Sequence, residues 1–373
     1  MNKQVIVFDP TTLDKQSAVR GIGRYLQLLK ENFPEWKFIG NETMKQCNNE
    51  AIFINPFFNF LQPPLTMKRI AQKQIAVIHD LIPLKYPGHF PAGIKGSINI
   101  FLNKLALKNY DLIVTDSEAS KKDIVQMLKF EESRVRVIYP CLTKVFLKTE
   151  NLKLNENCLP AVKAGKMKTE NYCLYVGDVT WNKNLVNLAK AIKIADISCI
   201  FVGKVFEGLK KESEDTCFEQ IAWAPLGEVG EKHGVKLSSL NNPWLKEFNE
   251  FIQITNGDKR FIFKGYVTDY ELIKLYQQAT ANILISRDEG FGFSYVEAAQ
   301  FGCPSILSNV PVLKEISAGQ GALFTDPNKP EVITQQILKV YNNVQIREKL
   351  SLEAQQRTNV FSSSIFKLNW KKV

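Results

Sequence analysis

The sequence predicts an α/β protein with two doubly wound parallel sheets, and three observations carry that expectation. Short Val/Ile-rich runs alternate with helical patterns from residue 4 to residue 140. The alternation stops in a polar, lysine-rich stretch, LKTENLKLNENCLPAVKAGKMKTEN (147–171), and then restarts. The chain has 373 residues, enough for two domains of ordinary size. Runs that are apolar throughout read as strands covered on both faces, and strand–helix alternation brings parallel pairing.

In chain order, the first-half strands are QVIVFD (4–9), EAIFIN (50–55), QIAVIHD (74–80), DLIVTDS (111–117) and VRVIYP (135–140). Between them lie the helical patterns GRYLQLLKENF (23–33), SINIFLNKLALKN (97–109) and EASKKDIVQMLKF (118–130). After the polar break come the strands CLYVGD (173–178), SCIFVGK (198–204), FIFKGYV (261–267), ANILIS (281–286) and PSILS (304–308). Helical patterns fall at 185–195 and 269–279, after Pro243, and over the residues that follow Glu331. The N-terminal VIVF is too short for a signal peptide and reads as a first buried strand. Ligands of such folds bind outside the carboxyl ends of the strands, and two domains offer a cleft.

Composition narrows the function. No run approaches about 18 uncharged apolar residues, so no membrane-spanning helix is expected. Seven cysteines without CxxC or Cys/His spacing support neither a disulfide framework nor a zinc site, and a reducing cytoplasm fits. Three histidines make a His-rich metal site a poor expectation. The net charge of +10 is uneven: residues 1–170 hold 25 Lys+Arg against 16 Asp+Glu, and the rest 23 against 22. Nucleic acid, an anionic membrane or a phosphorylated substrate would each suit that balance, as would solubility alone. No RNP-like aromatic motif or recognition-helix signature accompanies it, which argues against nucleic acid.

Four stretches bear on chemistry. Gly21-Ile22-Gly23-Arg24 opens a helix after the first strand, where glycines let a phosphate approach backbone N–H groups, or merely form a turn. His79-Asp80 ends a strand, a position that carries chemistry in α/β sheets, although a lone histidine is often structural. In YVGDVTWNKN (175–184), Lys183 precedes a helix and can meet phosphate oxygens, or stand solvated. The most specific is DEGFGFSYVEAAQFGCP (288–304). Gly290 and Gly292 leave a helix start bare for an anion, Gly302 can cap that helix, and Glu289 stands at the turn. Glu297 lies inside the helix beside Val296, Ala298 and Ala299. A buried carboxylate there needs a hydrogen-bond donor, which a ribose diol, a backbone N–H or a lysine would supply.

These residues together resemble the retaining GT-B glycosyltransferases of family GT4. EGFGFSYVE matches the family's E-x7-E motif, with AAQFGCPSILSNVPVLKEI and GALFTDP downstream. GIGRY, VIHDLIPL, VTDSEASKKDI, YVGDVTWNKN and FKGYVTDYELIKLYQQA fall upstream in the family's order. The resemblance spans about residues 5–330, and is greatest to mannosyl- and rhamnosyltransferases of bacterial surface polysaccharides.

That resemblance implies a GT-B fold, two Rossmann-like domains facing across a cleft. Residues 1–155 would form the acceptor-side domain, 156–171 the linker and 172–357 the nucleotide-sugar domain. A final helix, about 358–373 with Trp370, would cross back to the first domain. Glu289, His79 and Lys183 form the implied catalytic set: Glu289 on the donor sugar, His79 near the reacting sugar, Lys183 on the diphosphate. Gly21, Gly23 and Arg24 would close over the phosphates. Gly290, Phe291, Gly292 and Phe293 would meet sugar and phosphate through their backbone. Glu297 would hold the ribose, and Gly265, Tyr266 and Val267 would line the base. Many relatives carry an arginine where Asp178 or Asn182 stands here, leaving Arg24 or Arg287 to help neutralise the diphosphate.

The implied donor is a nucleotide diphosphate sugar, GDP-mannose first, with UDP- and dTDP-sugars behind it. The acceptor is a glycan or lipid-linked glycan. No cofactor is implied, and no metal, since no DxD-type pair occurs. A nucleotide-sugar epimerase is the alternative within the fold. The protein is expected in the cytoplasm, peripheral at the inner membrane face through residues 55–69 and 94–109.

Overall fold

The computed structural model describes residues 4–12, 21–40, 50–147, 171–209, 244 and 246–373. The expected linker, except Asn171, and residues 210–243 lie outside the described residues. The chain divides into two compact units, Met1–Lys144 with Val360–Val373, and Val145–Asn359.

Unit 1 begins with β1 (Val5–Phe8) and α1 (Gly21–Asn32), followed by β2 (Lys37–Ile39), β3 (Ile52–Asn55) and β4 (Lys73–Val77). Then come α2 (Ile82–Lys85), α3 (Gly93–Ala106), β5 (Leu112–Thr115), α4 (Glu118–Leu128) and β6 (Val135–Val137). All five strand pairings are parallel, in the order β2-β1-β3-β4-β5-β6. The central strands are apolar on both faces because helices cover both. Ser117 starts α4 by accepting a hydrogen bond from the Ser120 N–H.

The short α5 (Lys144–Leu147) straddles the boundary, with Val145–Leu147 in unit 2. That unit holds β7 (Tyr172–Val176), α6 (Leu185–Ala195), β8 (Ser198–Val202), α7 (Lys246–Thr255), β9 (Phe261–Gly265), α8 (Asp269–Gln278) and β10 (Ala281–Leu284). It continues with α9 (Phe293–Gln300), β11 (Ser305–Ser308), α10 (Pro311–Ser317), β12 (Ala322–Thr325), α11 (Pro330–Asn342) and α12 (Val344–Arg357). The sheet is again parallel, ordered β12-β11-β10-β7-β8-β9. The chain runs outward from β7 to β9, returns, and runs outward the other way from β10. The reversal leaves a crevice at the carboxyl ends of β7 and β10, where such sheets take ligands. A phenylalanine core of Phe201, Phe206, Phe251 and Phe261 backs β7–β9.

The last helix, α13 (Ser363–Trp370), belongs to unit 1. Its Phe366 ring lies 6.1 Å from Phe33 and 6.5 Å from Tyr25, and Trp370 meets Trp36 edge-on at 5.7 Å. Ser363 donates to Asn32 beside them.

Candidate functional site

The crevice of unit 2 is built from two loops, one after β7 and one after β10. Both leave the sheet at glycine-rich or tightly turned backbone. Gly177, Gly203 and Gly265 stand at the ends of three neighbouring strands. The Gly177 N–H donates to the Val202 carbonyl at 3.0 Å and the Gly203 N–H to that of Gly265 at 2.9 Å. A Cβ on Gly203 would sit 2.2 Å from the Gly177 oxygen, so a side chain there is excluded. Gly203 escapes sequence reasoning because only the sheet order brings it against Gly177.

The two loops are laced together. Asn182 is buried; its Nδ2 donates to the Asp288 carbonyl at 3.1 Å and its Oδ1 accepts from Thr180 at 2.8 Å. Its carbonyl accepts from the Arg287 N–H at 2.7 Å. Asn184 adopts the left-handed conformation (φ 60°), which asparagine tolerates better than most residues. It donates to the carbonyls of Ile285 at 3.1 Å and Pro327 at 2.6 Å. Asn182 thus acts on loop geometry, and Asn184 is a positioning residue that the sequence reading missed. Asp178 accepts from the Val179 N–H at 2.8 Å.

The lacing brings Lys183 and Glu289 together. Lys183 Nζ lies 2.7 Å from Glu289 Oε1, with side chains 21% and 9% exposed. Ser286 Oγ donates to the same oxygen at 2.5 Å, and Ser286 was not foreseen either. Arg287, weighed as a diphosphate cation, is engaged elsewhere. Its Nη1 donates to both oxygens of Glu247 at 2.8 Å and to the Trp181 carbonyl, and its guanidinium lies over the Trp181 ring at 5.0 Å. Burial raises the Glu247 carboxyl above its ordinary value despite that arginine.

Gly292 starts α9 in the left-handed conformation (φ 99°), with no side-chain cap on the helix. A Cβ there would lie 2.8 Å from Leu313. Gly290 and Phe291 are buried, and Phe291 meets Phe293 edge-on at 5.1 Å. The helix closes at Gly302 (φ 66°), whose N–H donates to Ala299 while Cys303 donates to Ala298, the paired bonds of a Schellman end. Glu297, in the middle, is 5% exposed and accepts from the Tyr276 hydroxyl at 3.1 Å. Gly265 is left-handed (φ 67°); the next residue, Tyr266, has an exposed ring and donates its N–H to Glu207 at 2.7 Å. Val267 follows, ahead of the Thr268–Glu271 capping box of α8.

In unit 1, Gly21, Gly23 and Arg24 lie in the first turn of α1, and among the described residues none would meet a Cβ on Gly21. His79 follows β4. Its Nδ1 is 2.6 Å from Asp116 Oδ2, and its Nε2 is 3.1 Å from the Pro56 carbonyl oxygen. Both partners present oxygen acceptors, a setting that favours a proton on each ring nitrogen. Burial pulls the His79 value down, but the Asp116 carboxylate outweighs it and the net shift is upward. Tyr25 stands edge-on to the ring at 4.7 Å.

The switch point of this parallel sheet, with a lysine and acids on its loops, is where doubly wound folds take ligands. Residues 161–357 match the family described as glycosyl transferases group 1, more than half of the chain. The chain belongs to that family. It is 22% identical over 293 residues to O-antigen chain mannosyltransferase B of Escherichia coli, covering 78% of this chain and 67% of that protein. It is 23% identical over 260 residues to O-antigen chain mannosyltransferase RfbU of Salmonella typhimurium, covering 69% and 58%. The chain thus spans about two thirds or less of the length of these relatives. Among solved structures, Anabaena HepE in complex with UDP and glucose superimposes with a TM-score of 0.66 at 14% identity, covering 100% of this chain and 99% of that one. The fold is GT-B.

Among the described residues, no group of three or more His, Cys, Asp or Glu side chains is placed to hold a metal ion. No described helix is long and apolar enough to cross a membrane.

Proposed function

We propose that this glycosyltransferase moves a hexose, mannose from GDP-mannose first, to a hydroxyl of a glycan or lipid-linked glycan in polysaccharide synthesis. The anomeric configuration would be retained and no metal required. The observation that carries the reading is the Lys183–Glu289–Ser286 group at the switch point, with Glu297 buried one helix turn or more behind it. Mannose is favoured because both O-antigen relatives are mannosyltransferases.

In this reading Lys183 and the uncapped starts of α6 and α9 meet the diphosphate, whose charge grows as the sugar leaves. Glu289 accepts from hydroxyls of the donor sugar, and Glu297 from those of the ribose. The bond from the anomeric carbon to the phosphate oxygen breaks, and a bond to the acceptor oxygen forms on the same face. The acceptor's proton passes to the departing phosphate. His79 has both ring nitrogens engaged, by Asp116 and the Pro56 carbonyl, which leaves neither free to act as a base.

A UDP-sugar donor is the second reading, favoured by the UDP and glucose bound in HepE. A thermal-shift series with GDP, UDP, ADP and dTDP decides between them. A shift with GDP alone supports mannose; a shift with UDP alone rejects it. Unchanged turnover in both Glu289→Ala and Glu297→Ala would sink the site assignment.

A further inference from the structure

Helix α3 has two unlike faces. Its packed side carries Gly96, Asn99, Asn103 and Ala106, with Ile100 against the unit 1 core. Asn103 Nδ2 donates to the carbonyls of Gln62 at 2.7 Å and Asn99 at 2.9 Å, and Asn99 Nδ2 donates to that of Leu61 at 2.9 Å. These bonds fix which face points inward. The outward face presents Ile94 (83% exposed), Ile98 (53%), Phe101 (62%) and Leu105 (37%). Their spacing of four, three and four residues makes one continuous stripe. Lys95 and Lys104, both exposed, fall about 90° to either side of it at 100° per residue. From Leu81 to Tyr110 the chain has no acidic residue, while Lys85, Lys95, Lys104 and Lys108 lie within it.

We propose that this face of unit 1 docks on an anionic lipid surface, with the apolar stripe in the headgroup layer and the flanking lysines on lipid phosphates. An apolar stripe of this size on a soluble surface is costly unless something covers it, and lysine flanks match an anionic interface. A second copy of the chain fits poorly. A twofold axis through the stripe would bring the lysines of both copies together, with no acid between Asp80 and Asp111 to offset them. Of the two stretches expected at a membrane, 94–109 supplies this face; in 55–69, Phe58 and Phe60 are buried in the core. The inference rests on unit 1 alone and stands apart from the donor and the reaction.

The test is co-sedimentation of the full chain with phosphatidylglycerol vesicles and with phosphatidylcholine vesicles, at low and high salt. Binding to phosphatidylglycerol alone, weakened by salt, is expected. Ile98→Asp/Phe101→Asp should abolish it, with an unchanged far-ultraviolet spectrum and melting temperature because both side chains are exposed. Replacing Lys95 or Lys104 by glutamine should weaken binding about fivefold each. Absence of binding at low salt, or equal binding by Ile98→Asp/Phe101→Asp, overturns the proposal. So does a wild-type dimer that Phe101→Asp converts to monomer, because the stripe would then belong to a second copy.

Discussion

The Lys183–Glu289 pair offers a quantitative test of how the site is held. Replacing Lys183 by methionine strips the charge partner from a carboxylate that is only 9% exposed. Breaking a fully buried pair costs about 3–5 kcal/mol. Here Ser286 still donates to Glu289 at 2.5 Å, and water reaches the lysine side, which is 21% exposed. The expected loss is therefore smaller, about 1–3 kcal/mol. Glu289→Gln should cost less, since the lysine can turn toward solvent. The double variant should lose less than the two singles together, leaving a coupling of about 1–2 kcal/mol. Urea unfolding of the four proteins reads this directly. In a melting experiment each kcal/mol corresponds to about 2–4 °C for a unit of this size. Additivity within about 0.5 kcal/mol would refute the pair as a structural element. The same proteins test its role. Glu289→Gln releases Lys183, so binding of a nucleoside diphosphate should hold or tighten while sugar transfer falls. Parallel loss of both would refute the proposed division of labour.

Other outcomes follow from single contacts. His79 has a raised value, so its pairing stabilises unit 1 fully below the ordinary value of 6.5 and ceases to do so as pH rises through the folded-state value. An NMR titration, in a chain of three histidines, should show Asp116→Asn returning His79 toward or below 6.5; no movement refutes Asp116 as the cause of the raised value. Gly203→Ala should cost about 3 kcal/mol or more, because its Cβ meets backbone at 2.2 Å. Gly257→Ala, left-handed but in open space, should cost about 1–2 kcal/mol, and equal losses in urea would contradict this account. Glu297→Ala should weaken nucleotide binding about tenfold to a hundredfold by calorimetry, with Tyr276→Phe intermediate.

Most of the strands were legible because a sheet covered on both faces writes itself as unbroken Val/Ile runs. The exceptions were edge strands. KFI of β2 has only three residues, the first exposed, and β12 is half-covered, so neither shows a long apolar run. The helix carrying Glu297 was legible from its glycines, Gly292 and Gly302, which both adopt positive φ. What the sequence did not reveal was the partner of each site residue. Asn182 with Asp288, Arg287 with Glu247 and Glu289 with Ser286 depend on the order of strands in the sheet or on the path of a tight turn. Local pattern is blind to both. The 97–109 stretch was read correctly as helical, but the face that packs is fixed by the carbonyl partners of Asn99 and Asn103, which local pattern does not show.

The placement of α13 has a consequence for how the protein is made. Phe366 and Trp370 complete an aromatic cluster with Tyr25, Phe33 and Trp36, yet all of unit 2 lies between them in the chain. A ribosome delivers β1 to β6 first, but unit 1 cannot close its core until unit 2 has also emerged. During synthesis the nascent first unit therefore waits with those rings uncovered, an interval in which exposed apolar surface favours aggregation. The enzyme's first-made part is among the last to be finished.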